Sequence, residues 1–286
     1  MLDTAFVRSV SYLMQRKVLS ARSRKAVAGV IARVRPKMPV KESPLSTTGF
    51  LELGQALSSA EISEIKALLG PGPLFEPYKR DLSEFVLGAI PEGAHLGQYR
   101  RSHVVRVPHL LKLANRPDVL SHAAAVIGGK PTLSDMLVWW SFPGQQEPTD
   151  AQLWHRDRAD WKMVKLFVYL TDVDEESGPH IYAKNSALGG HLVDLRRFKE
   201  AEVREHYKDV VVATGFAGHA IMTNPQGLHR GSLPTKLPRL VFEATYSLMG
   251  LPNANYLPHG IEPAILPNIS FDPWINRYFA RVSTTR

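Results

Sequence analysis

Five runs in the second half of the chain are rich in β-branched and aromatic residues: Thr132 to Phe142, Met163 to Thr171, Val210 to Ala213, His219 to Thr223 and Arg239 to Ser247. Each is bounded by Gly, Pro, Asn or Asp, and Met163 to Thr171 alternates apolar with polar positions, so all five read as strands. Their spacing suits an antiparallel barrel or sandwich. A further short strand is expected over Gly49 to Gly54. Ser58 and Glu61 have capping-box spacing and start a helix that reaches about Leu69. Gly70-Pro-Gly-Pro73 breaks it. Residues 74–106 read as irregular. Pro117 opens another helix, which runs to Val126 and stops at Gly128-Gly129, and a third is expected near Lys199 to Tyr207. The expected class is mainly β with helical additions.

Before this body lies a different kind of segment. Over residues 5–35, Val7, Val10, Met14, Val18 and Ala21 recur at three- and four-residue spacing, the signature of a helix with one apolar face. Pro36, Pro39 and Pro44 end it. Three readings compete: a peripheral helix on anionic lipid, an Arg/Ser-rich transit peptide, and a helix packed on its own domain or on a partner subunit. The tail beyond Gly250 is Pro-rich but carries Tyr256, Phe271, Trp274, Tyr278 and Phe279. So many aromatics point to packing on the body or on a neighbouring subunit in a homo-oligomer. The expected division is therefore an arm and linker over 1–44, a catalytic body over 45–250 with its core at about 131–248, and a C-terminal extension over 251–286.

Charge sharpens this division. The formal net charge is +8 over 286 residues, yet ten basic residues stand against Asp3 alone in the first 41, which leaves the body near neutrality. A nucleic-acid-binding body is excluded on that ground. The chain has no cysteine, so neither a disulfide framework nor a thiolate metal site is available. No run approaches the ~20 apolar residues of a membrane span.

The candidate chemistry centres on Trp154-His155-Arg156-Asp157-Arg158-Ala159-Asp160-Trp161. In extended backbone, residues two apart share a side, so His155 and Asp157 converge on one point. His229 offers a third ligand. Two histidines and one carboxylate leave one face of an octahedron open, which suits non-heme Fe(II). His-x-Asp alone is a weak motif. The weight lies in the order: dyad, β run, acidic Gly-Pro turn, strand pair, histidine, then Arg239 entering the last strand.

Trp-His-Arg-Asp at 154–157, Val164-Lys-Leu-Phe-Val-Tyr-Leu-Thr-Asp-Val-Asp-Glu-Glu-Ser-Gly-Pro179, and His229 with Arg239 ten residues on together resemble the phytanoyl-CoA dioxygenase-like branch of the Fe(II)/2-oxoglutarate oxygenases. The likeness spans about 131–248, and the placing of Trp161 is similar to that in the ectoine hydroxylases. The resemblance implies a double-stranded β-helix (jelly-roll, cupin-like) core, iron on His155, Asp157 and His229, and 2-oxoglutarate and O₂ as co-substrates. It also implies that Arg239 pairs with the distal carboxylate of 2-oxoglutarate, a match of guanidinium fork to carboxylate. Related halogenases lack the carboxylate ligand, so Asp157 favours hydroxylation. Lys165, Ser232, Thr235 and Trp161 are further candidates around the 2-oxoglutarate pocket, and of Trp139 and Trp140 at most one can face it. Two departures stand out. His-Gly-Ser is replaced by His229-Arg230-Gly231-Ser232, and the usual Pro-Gly-Ser-His by Ala183-Lys-Asn-Ser-Ala187. They make His180 and His191 rivals to His229, which the spacing to Arg239 favours.

The expected substrate is a small or lipid-linked molecule. Arg100, Arg101, His103 and Arg106 suggest an anionic group on it, and the basic arm suggests contact with a membrane. A cytoplasmic enzyme, at the inner face of a membrane if the arm binds lipid, would meet the required 2-oxoglutarate. Two other readings keep the same residues: a metal- or ligand-binding β-barrel without turnover, and a zinc hydrolase. The hydrolase lacks a glutamate general base beside the dyad and leaves Arg239 without a task.

Overall fold

The computed structural model describes residues 5–14, 20–79, 81–144, 147–251 and 257–283. Asp3, Val18 and Tyr256, which entered the reading above, lie outside them. The strands are β1 (Phe50–Gln55), β2 (Leu74–Phe75), β3 (Leu96–Tyr99), β4 (Thr132–Ser141), β5 (Met163–Tyr169), β6 (His180–Ala183), β7 (Val210–Ala213), β8 (His219–Thr223), β9 (His229–Gly231), β10 (Arg239–Ser247), β11 (His259–Ile261) and β12 (Ala280–Val282). The helices are α1 (Ala5–Leu13), α2 (Ala21–Arg33), α3 (Ser59–Leu69), α4 (Arg101–Val104), α5 (Pro108–Ala114), α6 (Pro117–Ile127), α7 (Glu200–His206) and α8 (Pro273–Asn276).

Seven strands form one antiparallel sheet in the order β1-β8-β5-β10-β4-β3-β2, and three form a second in the order β7-β6-β9. This is the jelly-roll core. Period-two alternation explains how the central strands serve both faces of the large sheet. Met136, Val138, Val164, Leu166, Val168, Leu240, Phe242 and Ala244 are buried against the helical layer, with Leu110, Leu111, Val119 and Ile127. The odd-numbered residues of the same strands turn the other way. Leu137, Trp139 and Ser141, Lys165, Phe167 and Tyr169, and Arg239, Val241 and Glu243 line a cavity closed from the other side by His180 on β6 and His229 and Gly231 on β9.

Local signals account for the ends of the elements. Ser58 Oγ accepts from Glu61 N at 3.3 Å while Glu61 Oε2 accepts from Ser58 N at 2.8 Å, and Gly70 (φ 62) stops α3. Residues 74–106 are less irregular than expected. They supply β2, β3 and α4, elements of two to four residues that show no periodicity of their own: β3 pairs with β4, β2 pairs with β3, and α4 packs on β4. The Asp172 to Pro179 turn is organised by Asp174, whose carboxylate accepts from Glu176 N at 3.0 Å and Ser177 N at 2.9 Å.

Ala28 and Ala32 of α2 are buried in the main core, and the extended segment after it is fastened by Lys41 N to Ser121 Oγ at 2.9 Å and Lys130 N to Pro36 O at 2.8 Å. At the other end Ile275, Phe279 and Ala280 join that core, and Arg277 lies 3.9 Å over the Trp274 ring. No helix among the described residues is long and apolar enough to cross a membrane.

Candidate metal centre

The dyad is held against the third ligand by backbone pairing. His155 and His229 form an isolated antiparallel bridge, each N–H donating to the other's carbonyl at 3.0 Å. Asp157 N donates to Pro225 O at 2.8 Å, which ties the dyad to the loop that leads into β9. Behind them the buried Arg156 donates to the carbonyls of Ser186 at 2.7 Å, Gln226 at 2.6 Å and Leu192 at 2.8 Å, locking three loops together. Nothing in the local sequence distinguishes this structural arginine from a surface one. Its burial is a property of the fold.

One ligand atom from each of His155, Asp157 and His229 lies within 4.8 Å of the others. His155 Nε2 is 3.6 Å and His229 Nε2 is 3.8 Å from the Asp157 carboxylate. Both imidazoles donate Nδ1–H to a carbonyl two residues upstream, Leu153 at 2.7 Å and Gly227 at 2.9 Å. That fixes the tautomer and turns both Nε2 lone pairs toward the shared point, the arrangement metal-binding histidines use. Burial pushes the His155 imidazole below its ordinary value. Burial and then His155 lower His229 to about 3. Burial opposes the Asp157 carboxylate, but Lys165 at 2.9 Å and the two imidazoles outweigh it and hold the group ionised. The donor set is thus two neutral nitrogens and one carboxylate.

Lys165 lies in the cavity as expected, but its ammonium joins Asp157 to Glu243 (3.3 Å) and so is already committed to two carboxylates. Glu243 was missed, although it was readable: it stands four after Arg239, on the same face of β10. Burial raises its carboxyl above the ordinary range, against the pull of Lys165.

Arg239 is buried, and its guanidinium faces the cavity. It donates to the Gly178 carbonyl and to Ser141 Oγ (3.3 Å), its Nε has no partner, and no carboxylate pairs with it among the described residues. Gly178 (φ 77) lets this turn lie close against the Ser232–Pro234 segment, since a Cβ there would stand 2.6 Å from Ser232 O. A buried cation without a counter-ion is costly, and here it opens onto a cavity. Ser232 also lines it, receiving a bond from Arg230 at 3.3 Å. Thr235 instead donates to Glu176 O on the surface.

Other expectations are not brought together here. Trp161 does not line this cavity; it is buried in the main core, its indole N–H donating to Ser11 Oγ. Trp139 faces the cavity and Trp140 does not, as alternation requires. Arg101 is locked to Asp135 by two bonds of 2.6 Å, Arg100 pairs with Glu84, and neither they nor His103 nor Arg106 line the cavity. Of the rival histidines, His191 stacks on His206 away from the site. His180 does line the cavity, with its ring 5.6 Å from that of His229, yet it is not among the three groups that converge.

Residues 45–232 match the family model of phytanoyl-CoA dioxygenase (PhyH). The chain belongs to the phytanoyl-CoA dioxygenase family. Solved structures agree on the fold of this PhyH chain. The epimerase SnoN, in complex with Fe3+, alpha ketoglutarate and nogalamycin RO, is 16% identical, covers 91% of this chain and 96% of its own, and superposes with a TM-score of 0.53. EctD from S. alaskensis with bound Fe is 15% identical over 87% of this chain and 94% of its own, TM-score 0.50. HygX from Streptomyces hygroscopicus, with nickel, 2-oxoglutarate and hygromycin B bound, is 13% identical over 84% and 94%, TM-score 0.50. No curated protein sequence matches the chain.

Proposed function

We propose that this PhyH-family protein is an Fe(II)/2-oxoglutarate-dependent oxygenase that hydroxylates an unactivated C–H bond of a small molecule. The observation that carries the reading is a cavity lined by His155 and His229, on which Asp157 converges, and by a buried Arg239 that pairs with no carboxylate among the described residues. The donor set fits Fe(II), and the orphaned guanidinium fits a dicarboxylate. Iron with 2-oxoglutarate supplies activation of O₂, one oxygen atom ending in succinate and the other in the product hydroxyl as CO₂ leaves.

The chain's own contribution is geometric and electrostatic. His155 and His229 present neutral Nε2 lone pairs, and Asp157 supplies the anionic ligand. Lys165 keeps that carboxylate ionised and oriented, sharing its charge with Glu243. Arg239 and Ser141 sit where the far carboxylate of 2-oxoglutarate would be received. Phe167, Leu137, Val241 and Trp139 exclude water from the reacting centre, which strengthens each of these interactions.

The cavity is about 320 Å³, room for the co-substrate and part of a small molecule. Its outer lining includes Tyr78, Leu96 and Gln98, with Asp150 as the charged group. With the Arg100–Arg106 cluster outside it, and Lys165 and Arg239 engaged, a neutral or cationic substrate fits better than the anionic one first expected. A metal-dependent hydrolase gains one feature from the structure, a glutamate near the dyad, but Glu243 is tied to Lys165, and Arg239 would still have no partner. The cytoplasm, which holds 2-oxoglutarate, is the proposed location.

The test is to supply Fe(II), 2-oxoglutarate and O₂ with a panel of neutral, cationic and anionic small molecules. Succinate release coupled to a gain of one oxygen atom on a neutral or cationic compound is expected. Absence of any succinate from iron-loaded protein would overturn the reading.

A further inference from the structure

Among the described residues, two buried side-chain atoms of the groups that line the metal-centre cavity have no hydrogen-bond partner, Arg239 Nε and His180 Nε2. The first belongs to the guanidinium assigned to the co-substrate. The second has no task in the account so far. A buried imidazole is costly to leave unpaired, and most buried polar groups in folded proteins have a partner.

The backbone fixes where this ring stands. Alternation along β6 turns His180 and Tyr182 to the space between the sheets, where Tyr182 packs with Phe167 and Tyr169, and turns Ile181 the other way against Trp154 and Phe198. His180 is paired on both sides, with Ala213 of β7 and Gly231 of β9, and its N–H donates to Tyr169 Oη at 3.1 Å. The register orders the cavity as well. Gly178, whose carbonyl receives Arg239, comes two residues before His180, and Tyr182, two residues after it, is paired with His229. A Cβ on Gly231, opposite His180, would stand 3.7 Å from Arg239 Nη2. His180 therefore lies between the guanidinium and the metal ligands. Its ring centre is 4.7 Å from that of Phe167 and 5.6 Å from that of His229, and no side-chain hydrogen bond or ion pair engages it among the described residues. Burial, then the neighbouring His229 and Arg239, push the imidazole well below its ordinary value. The ring is neutral and has one N–H to donate.

We propose that His180 is a binding residue for 2-oxoglutarate, donating its imidazole N–H to the co-substrate in the stretch between Arg239 and the His155–Asp157–His229 set. This deepens the oxygenase reading and rests on it. A dicarboxylate received by Arg239 at one end and by the metal at the other passes the His180 ring, and its oxygens are the acceptors that this N–H lacks in the ligand-free protein.

The test uses the full-length protein, iron-loaded and without oxygen, as wild type, His180→Leu and His180→Gln. Calorimetry would give the affinity for 2-oxoglutarate and for 2-oxovalerate, which keeps the 2-oxo acid but lacks the far carboxylate. Fe(II) affinity and ligand-free thermal unfolding would be read separately. His180→Leu should weaken 2-oxoglutarate binding about tenfold and leave Fe(II) affinity unchanged. Without ligand it should be at least as stable as the wild type, because it removes an unsatisfied polar group. His180→Gln, which keeps a donor, should recover most of the affinity. Loss confined to 2-oxoglutarate assigns the contact to the far carboxylate, and equal loss with 2-oxovalerate assigns it to the keto-acid end. Wild-type affinity for 2-oxoglutarate in His180→Leu overturns the proposal. So does a parallel fall in Fe(II) affinity, which would make His180 a metal ligand. A wild type that takes up iron and binds no 2-oxoglutarate overturns the oxygenase reading itself.

Discussion

Replacing Arg239 by Met separates a ligand clamp from a structural arginine. Among the described residues, ligand-free Arg239 donates two hydrogen bonds, to the Gly178 carbonyl and Ser141 Oγ, and its buried charge meets no carboxylate. Loss of those bonds and relief of an unneutralised buried charge oppose each other, so ligand-free stability should change by no more than about 1 kcal/mol. Binding is different. Two charge-assisted bonds to a carboxylate, at about 1.5–3 kcal/mol each, correspond to roughly a hundredfold to ten-thousandfold in 2-oxoglutarate affinity. The assay is thermal unfolding with Fe(II), without oxygen, at 2-oxoglutarate a hundred times its wild-type Kd. The wild type gains about 2.7 kcal/mol there, and a variant weakened a hundredfold gains about 0.4 kcal/mol. For a chain of this size the wild-type gain is roughly 5–10 °C in Tm. The reasoning is refuted if Arg239→Met keeps the wild-type shift. It is refuted equally if the variant is several kcal/mol less stable without ligand, since Arg239 would then be structural.

Three further outcomes follow from the same contacts. Lys165→Met strands Asp157 and Glu243, and should cost about 3 kcal/mol at pH 8. Without Lys165 the Glu243 carboxyl rises further, so stability is lost as pH rises through its folded value; urea midpoints should recover at pH 5.5, and a pH-independent loss would contradict this. His155 and His229 are held below the ~6.5 of a free imidazole, so the unfolded chain takes up protons first. Metal-free protein should therefore lose stability steadily as pH falls below about 6.5, in a window that for His229 reaches to about 3; a flat profile from pH 7 to 5 would contradict it. Gly178→Ala places a Cβ 2.6 Å from Ser232 O and forces the Arg239 acceptor to move, so 2-oxoglutarate affinity should drop at least tenfold with iron affinity unchanged, as read by separate titrations.

Much of the centre was legible because it lies on strands long enough to show their period. Residues 132–142, 163–171 and 239–247 gave β4, β5 and β10 almost to the residue, and the two-residue spacing of His155 and Asp157 gave their shared direction. What was hidden depended on long-range contacts. β6 and β9 are four and three residues long, and His229-Arg230-Gly231 is polar; only pairing across the small sheet makes it a strand. The Arg100–Arg106 cluster was misjudged because sequence shows charge but not partners: Asp135 lies on β4, and Glu84 sits in the same segment without periodicity to mark it as Arg100's partner. Trp161 was misplaced for a related reason: Asp160 accepts from Met249 N at 2.6 Å and draws that end of the segment into the core. Glu243 was an avoidable omission, since the alternation that aims Arg239 at the cavity aims it too.

The central claim is that one cavity binds iron and 2-oxoglutarate together. Fe(II) and then 2-oxoglutarate would be added to metal-free protein under anaerobic conditions, with Asp157→Ala and Arg239→Ala alongside, to look for the weak visible charge-transfer band of iron-chelated 2-oxoglutarate. The account predicts a band in the wild type, lost in Asp157→Ala and restored in Arg239→Ala only at far higher 2-oxoglutarate. A folded wild-type protein that takes up iron and shows no band would contradict it.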